Sequence, residues 1–255
     1  MTRKAAQAWK RGPGGLLAFV VAAVLLSGCG GSGGASPSLT RSSAPAAAAP
    51  STTVHYTSSV VAQAKVPAVA VFDTATATTP SKTLANPQPS GSPLVFLVQG
   101  GQGSRLQVLL PIRPNGSTGW IERSDVTLSQ HDYRIVVALG AHMITVYKGD
   151  ATFLQEPIGV GTKDTPTPGG LYYTKELYKL PTATGPYGPY AYALSGYSDV
   201  LTDFAGGDGV IGIHGTNDPS AIGHDVSHGC IRMSNAGITQ LAQTLPLGVP
   251  VEIQA

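Results

Sequence analysis

The chain has 255 residues, of which 12% are charged, with 32 glycines, 20 prolines and two cysteines. That length holds one or two domains, and so much Gly and Pro favours strands and turns over long helices. The formal charge of +2 belongs to the extreme N-terminus, because setting aside Arg3, Lys4, Lys10 and Arg11 leaves 12 basic against 14 acidic residues, about −2. No basic patch remains, which argues against a nucleic-acid partner.

In chain order, Met1 to Arg11 is a basic segment and Leu16 to Leu26 an apolar run too short to span a bilayer comfortably. The run ends in Leu26-Ser27-Gly28-Cys29, which resembles the bacterial lipobox. The resemblance implies a lipoprotein signal peptide over residues 1–28, cut before Cys29, and lipidation of that cysteine. The protein is then expected in the cell envelope, anchored by lipid on the outer side of the cytoplasmic membrane. An ordinary secretory leader with an incidental Cys is the alternative. Residues 29–64 are expected to be a flexible tether, since Gly30 to Thr53 is Gly, Ser, Ala, Pro and Thr with almost no large apolar residue to bury.

Residues 65–130 read as a small β module. Val66, Val69 and Val71 open a β-branched stretch, and Pro87, Pro89, Gly91 and Pro93 mark a turn region. Leu94 to Val98 and Leu106 to Ile112 are runs of strand length, and Asn115-Gly116 and Thr118-Gly119 are turn signals before Trp120-Ile121. Short strands between turns predict a barrel or sandwich. The segment resembles SH3-like or immunoglobulin-like modules, without a choice between them.

Residues 131–255 read as a second, mainly β domain with one or two short helices. Arg134 to Leu139 and His142 to Tyr147 are two predicted strands joined at Gly140-Ala141, followed by a turn at Lys148 to Asp150 into Ala151 to Val160. Thr165 to Gly170 is a rigid turn before a strand over Leu171 to Leu177. Tyr187 to Tyr197 is aromatic-rich and is a candidate cover for a cleft. Val210 to Ile213 is a short strand leading into His214. Ser234 or Asn235 caps a helix with Ile238, Leu241, Ala242 and Leu245 on one face, and Val249 to Ile253 is a last strand.

The chemistry concentrates in His214-Gly-Thr-Asn-Asp-Pro-Ser-Ala-Ile-Gly-His-Asp-Val-Ser-His-Gly-Cys230 and the following Ile231-Arg232. Three of the six histidines lie here, with the only cysteine outside the leader region. A thiolate is the reactive form of cysteine, and a nearby imidazole takes the thiol proton or lowers its pKa. Cys230 is therefore the candidate nucleophile. Gly229 permits a backbone geometry that aims the Gly229 and Cys230 N–H groups at a developing oxyanion. Arg232 is the candidate for holding a carboxylate through two parallel bonds or for bracing the loop. A zinc site built from His214, His224, His228 and Cys230, with Asp218 or Asp225, is a rival, but the spacing fits no common zinc pattern, and a metal-bound thiolate is no longer a free nucleophile.

The pieces His214-Gly215 and Ser227-His228-Gly229-Cys230-Ile231-Arg232 resemble the signature of the L,D-transpeptidase family, the YkuD-type catalytic domain. Val160-Gly161 and the Thr-Pro-Gly turn after it match the family as well. The resemblance implies a YkuD-like β-sandwich and a thioester acyl-enzyme on Cys230. His214 would be the proton donor and acceptor, oriented by the Gly215 carbonyl, with His228 in support and Ser227 and Tyr187 beside the substrate. It implies peptidoglycan stem peptides as substrate, 3-3 cross-links as product, acylation of Cys230 by carbapenems, and no metal or organic cofactor. A carboxypeptidase, a wall-protein attachment enzyme or a non-catalytic wall-binding lipoprotein of the same fold are the alternatives.

Overall fold

The computed structural model describes residues 58–203 and 207–255. The expected signal peptide, Cys29 and the tether up to residue 57 lie outside the described residues. The strands in chain order are β1 (Ser59–Ala64), β2 (Ala68–Val71), β3 (Lys82–Ala85), β4 (Val95–Gln102), β5 (Arg105–Leu109), β6 (Thr118–Glu122) and β7 (Val126–His131). They continue with β8 (Tyr133–Ala138), β9 (Met143–Lys148), β10 (Ala151–Pro157), β11 (Val160–Gly161), β12 (Gly170–Lys179), β13 (Tyr190–Tyr197) and β14 (Val210–His214). After these come β15 (Asp225–Ser227), β16 (Ile231–Arg232), the helix α1 (Asn235–Thr244) and β17 (Pro250–Gln254).

The first seven strands make a five-stranded sheet in the order β6-β5-β4-β1-β7 and a separate ribbon β2-β3. β1 lies six residues inside the segment expected to be tether. It pairs with β4 on one side and β7 on the other, and Val61, Ala62 and Ala64 are buried. Composition misplaced the boundary because Ser and Ala are tether residues and also small strand residues that a neighbouring sheet can cover.

The remaining strands build a curled eight-stranded sheet, β10-β9-β8-β17-β12-β13-β14-β16, beside a short parallel pair β11-β15. The protein is mainly β, and α1 is the one α-helix among the described residues. β8 shows why these segments are strands: Ile135 and Val137 alternate inward while their neighbours are partly exposed. α1 covers one face of the sheet. The Ser234 hydroxyl accepts from the Gly237 N–H as its N-cap, and Ile238, Leu241 and Leu245 join the core with Ile213, Ile231 and Met233. Glu156 of β10 accepts from both the Ser234 N–H at 2.9 Å and the Ser234 hydroxyl at 3.0 Å. A carboxylate at a helix N-terminus is favourable, and this partner was not readable from local sequence.

The two sheets share a buried layer. Val61, Val95, Leu97 and Leu109 of the first pack with Tyr173 of β12, whose hydroxyl donates to the Val95 carbonyl at 3.0 Å. Gly248 closes this layer. Its φ is +87°, and a Cβ there would stand 2.5 Å from Val61 Cγ2. Both the left-handed backbone and the close approach demand glycine. Gly248→Ala is expected to cost about 2–4 kcal/mol and lower the thermal midpoint by several degrees. Adding Val61→Ala should return only the steric share. An unchanged midpoint in Gly248→Ala would contradict the packing described.

Candidate active site

β14 and β16 run side by side in parallel, with Ile213 opposite Ile231 and His214 opposite Arg232. Cys230 immediately precedes β16 and so falls opposite Gly212. Gly212 and His214 are two residues apart and face the same side of the sheet. Strand spacing and rise then place Cys230 and His214 with Cα atoms about 8 Å apart, within side-chain reach. Both line one cleft of about 440 Å³, with Tyr187, Tyr192, Ala193 and Gly212 among its other walls.

The His214 ring is buried, and its Nδ1–H donates to the Gly215 carbonyl at 2.6 Å. That bond sets the tautomer and leaves Nε2 with its lone pair. Burial drives the His214 pKa down to about 4, the Gly215 bond opposes this, and the Arg232 charge adds to the lowering. The imidazole is neutral at pH 7, as a base must be. Burial pushes the Cys230 thiol up, while a Gly212 backbone N–H bond and the Arg232 charge pull it down. The resting pair is therefore thiol and imidazole. The Tyr187 ring stands edge-on to His214, centroids 4.8 Å apart, and forms one lip of the cleft.

The loop before Cys230 is held by hydroxyls. The Ser227 hydroxyl donates to the Cys230 carbonyl at 2.6 Å and accepts from the Gly229 N–H at 3.0 Å. Two readings change here. Ser227 is 2% exposed, with its hydroxyl bonded inside the loop, so it braces the loop that carries Cys230 and does not face the cleft. The Gly229 N–H is spent on Ser227 and is not a free oxyanion donor, which leaves the Cys230 N–H of the expected pair. Gly229 itself has φ +113°, the backbone region that favours glycine.

Sequence reasoning missed the outer supports. The Thr167 hydroxyl donates to the Gly229 carbonyl at 2.9 Å and accepts from the Gly161 N–H at 2.9 Å. Thr165 donates to the Ser227 carbonyl at 3.1 Å. The Thr-Pro-Thr-Pro run was legible as a turn, but its task is to clamp the cysteine loop from 60 residues away.

The other expected site residues are not brought to the thiol alike. His228 is exposed and is outside the cleft lining, which separates it from the role given to His214. Arg232 is also outside that lining. Its backbone makes two 2.8 Å bonds with Gly159, its Nε is buried without a hydrogen-bond partner, and its charge acts on Cys230 and His214. Tyr172 is bonded to the Gly169 carbonyl and packed, and the buried Tyr192 hydroxyl holds the end of α1 through the Leu241 and Leu245 carbonyls. No three His, Cys, Asp or Glu side chains among the described residues converge as a metal site.

A family model described as YkuD, L,D-transpeptidase catalytic domain, matches residues 132–253. A Bacillus licheniformis protein named as L,D-transpeptidase YkuD is 38% identical over 121 residues, which is 48% of this chain and 65% of that protein. Its namesake in Bacillus subtilis strain 168 is 37% identical with the same coverage. The chain thus spans just under two thirds of the length of these curated relatives. A crystal structure of an L,D-transpeptidase from Mycobacterium tuberculosis H37Rv is similar at 14% identity, covering 64% of this chain and 90% of that one with a TM-score of 0.41. Residues 132–253 are thus similar, by family model and by curated relatives, to the YkuD-type L,D-transpeptidase catalytic domain.

Proposed function

We propose that the protein is an L,D-transpeptidase that forms 3-3 cross-links between peptidoglycan stem peptides through a thioester on Cys230. The observation that carries this is the cleft shared by His214 and Cys230, with His214 Nδ1 tied to the Gly215 carbonyl and Nε2 left as base. In the first half-reaction Nε2 takes the thiol proton as Sγ attacks the carbonyl of the third stem residue. The C–N bond breaks, His214 returns the proton to the departing amine, and the acyl group stays on sulfur. In the second half-reaction the amine of another stem attacks the thioester, His214 removes its proton, and the thiol is restored as the C–S bond breaks. The Cys230 N–H and the cleft wall stabilise the oxyanion.

The test is intact-mass analysis of the leaderless protein with a tetrapeptide stem, with and without a second stem. The expected result is a tripeptidyl adduct on the wild type and a cross-linked product when acceptor is present. Released tripeptide without cross-link, even at high acceptor concentration, would make the protein a carboxypeptidase.

We also propose that the protein is a lipoprotein of the cell envelope, on the strength of Leu26-Ser27-Gly28-Cys29. Cys29→Ala is expected to move it from the membrane fraction to the soluble fraction, since stable anchoring needs acyl chains. Continued sedimentation with membranes would show another anchor.

A further inference from the structure

The catalytic cleft has a second end that the cysteine chemistry does not use. There β12 carries Lys175 and Glu176, with side chains only 10% and 7% exposed. In a regular strand consecutive residues face opposite sides. Here the pairing steps from Thr174–Leu194 to Glu176–Ala193, so Lys175 is the extra residue of a bulge. A bulge re-aims a side chain, and this one lets Lys175 and Glu176 both line the cleft that holds Cys230.

The pair is incompletely satisfied. Lys175 Nζ stands 3.7 Å from Glu176 Oε1, beyond hydrogen-bond length, and 5.5 Å from the centre of the Tyr197 ring. The other Glu176 oxygen accepts from the Tyr178 hydroxyl at 2.5 Å. The ammonium therefore has a counter-ion and an aromatic face but no hydrogen bond among the described residues. The Lys175 side chain is nine-tenths buried, and its ammonium keeps donors available to an acceptor that enters the cleft. A neighbouring groove shares Lys175, Glu176 and Tyr178 with the cleft and continues to Gln88, between β3 and β4, and Pro111, between β5 and β6, so the position is reachable from two sides.

Its distance from the thiol follows from the pairing. Glu176 is opposite Ala193, and Ala193 is opposite Gly212, against which Cys230 Sγ lies. Two strand spacings of about 4.8 Å put the pair about 10 Å from the reacting sulfur.

We propose that Lys175 is a carboxylate-binding specificity residue, taking a side-chain carboxylate of the stem peptide about 10 Å from the scissile carbonyl. Glu176 and Tyr178 are positioning residues that hold the ammonium in the cleft. This rests on the peptidoglycan-stem reading above and adds to it the group that the far end of the cleft recognises.

The experiment measures binding in Cys230→Ala protein, so turnover is not required. The probes are a tetrapeptide stem whose third residue bears a free side-chain carboxylate and the same peptide with that group as a carboxamide. The wild-type cleft should bind the free acid about 10- to 100-fold more tightly, the range for a charge-assisted bond. Lys175→Met should remove that preference and leave carboxamide binding within about twofold, and Lys175→Arg should keep most of it. Should Lys175→Met fail to fold, Lys175→Met with Glu176→Gln removes both charges and is expected to show the same lost preference. Alkylation of Cys230 by iodoacetamide, which has no carboxylate, should be unchanged in the variants made on the Cys230 background. Equal binding of the two peptides to the wild-type cleft, or equal loss for both in Lys175→Met, overturns the proposal. Lys175-dependent binding with no acyl transfer would sink the transpeptidase reading alone, and cross-linking with no carboxylate preference would sink this one alone.

Discussion

Cys230→Ala is expected to abolish acyl transfer while the protein stays folded. Loss of the nucleophile from a set that acts as a unit costs on the order of 10⁶ in rate. The thiol is small and half-buried at the edge of a cleft, so its removal opens no large cavity and stability should fall by less than about 2 kcal/mol. A carbapenem provides an independent check. One drug mass should appear on the wild type, none on Cys230→Ala, and addition should slow in His214→Ala, because the same base serves both reactions. Undiminished cross-linking by Cys230→Ala, or a wild-type mass unchanged by excess drug, would remove the thiol from the mechanism.

Acid is the second large effect, and it arises from His214. Burial lowers the His214 pKa to about 4, against about 6.5 in an unfolded chain. Folding therefore favours the neutral ring. The associated stability is fully present above pH 6.5 and is lost as pH falls towards 4. By linkage the loss from this group at pH 4.5 is about 2–3 kcal/mol. His131, also lowered by burial, acts in the same direction. Urea unfolding at pH 7 and pH 4.5 should show the drop, and His214→Gln should remove most of it while losing catalysis. A difference between the two pH values that is the same in wild type and His214→Gln would contradict the burial of a neutral ring. The same electrostatics governs the thiol. Because burial raises Cys230, its alkylation by iodoacetamide should climb about tenfold per pH unit from pH 6 to 8.5. A plateau already reached by pH 7 would mean a preformed ion pair. Removing the Arg232 charge should slow alkylation at any given pH, since that charge favours the thiolate.

Much of the fold was legible before the structure. Alternation of Ile, Val and Tyr marked β8, β9, β12 and β14 within one or two residues, and the pair Ser234 or Asn235 marked the start of α1, because strand period and capping are local properties. The candidate thiol and imidazole could be picked out for a different reason: such chemistry restricts residue types over a short stretch, and His214-Gly215 and Ser227 to Arg232 lie close in sequence. Everything that depended on pairing between distant segments was not. The strand β1 has the composition of a tether, and its Ala and Ser become core residues only when β4 and β7 flank them. Ser227 was placed beside substrate and the Gly229 N–H in the oxyanion site, yet a turn closes them on each other. Thr167 reaches the cysteine loop across 62 residues of chain, and Glu156 reaches the helix cap across 78. Lys175 and Glu176 are consecutive residues of β12, and a regular strand would put them on opposite faces. One extra residue in the β12–β13 register puts both in the cleft, and register is set where strands from different parts of the chain meet. Residue types along the chain name the groups that can do the chemistry. Tertiary structure decided which of their hydrogen bonds remain free to do it, because a donor is spent or spared only by what folds against it.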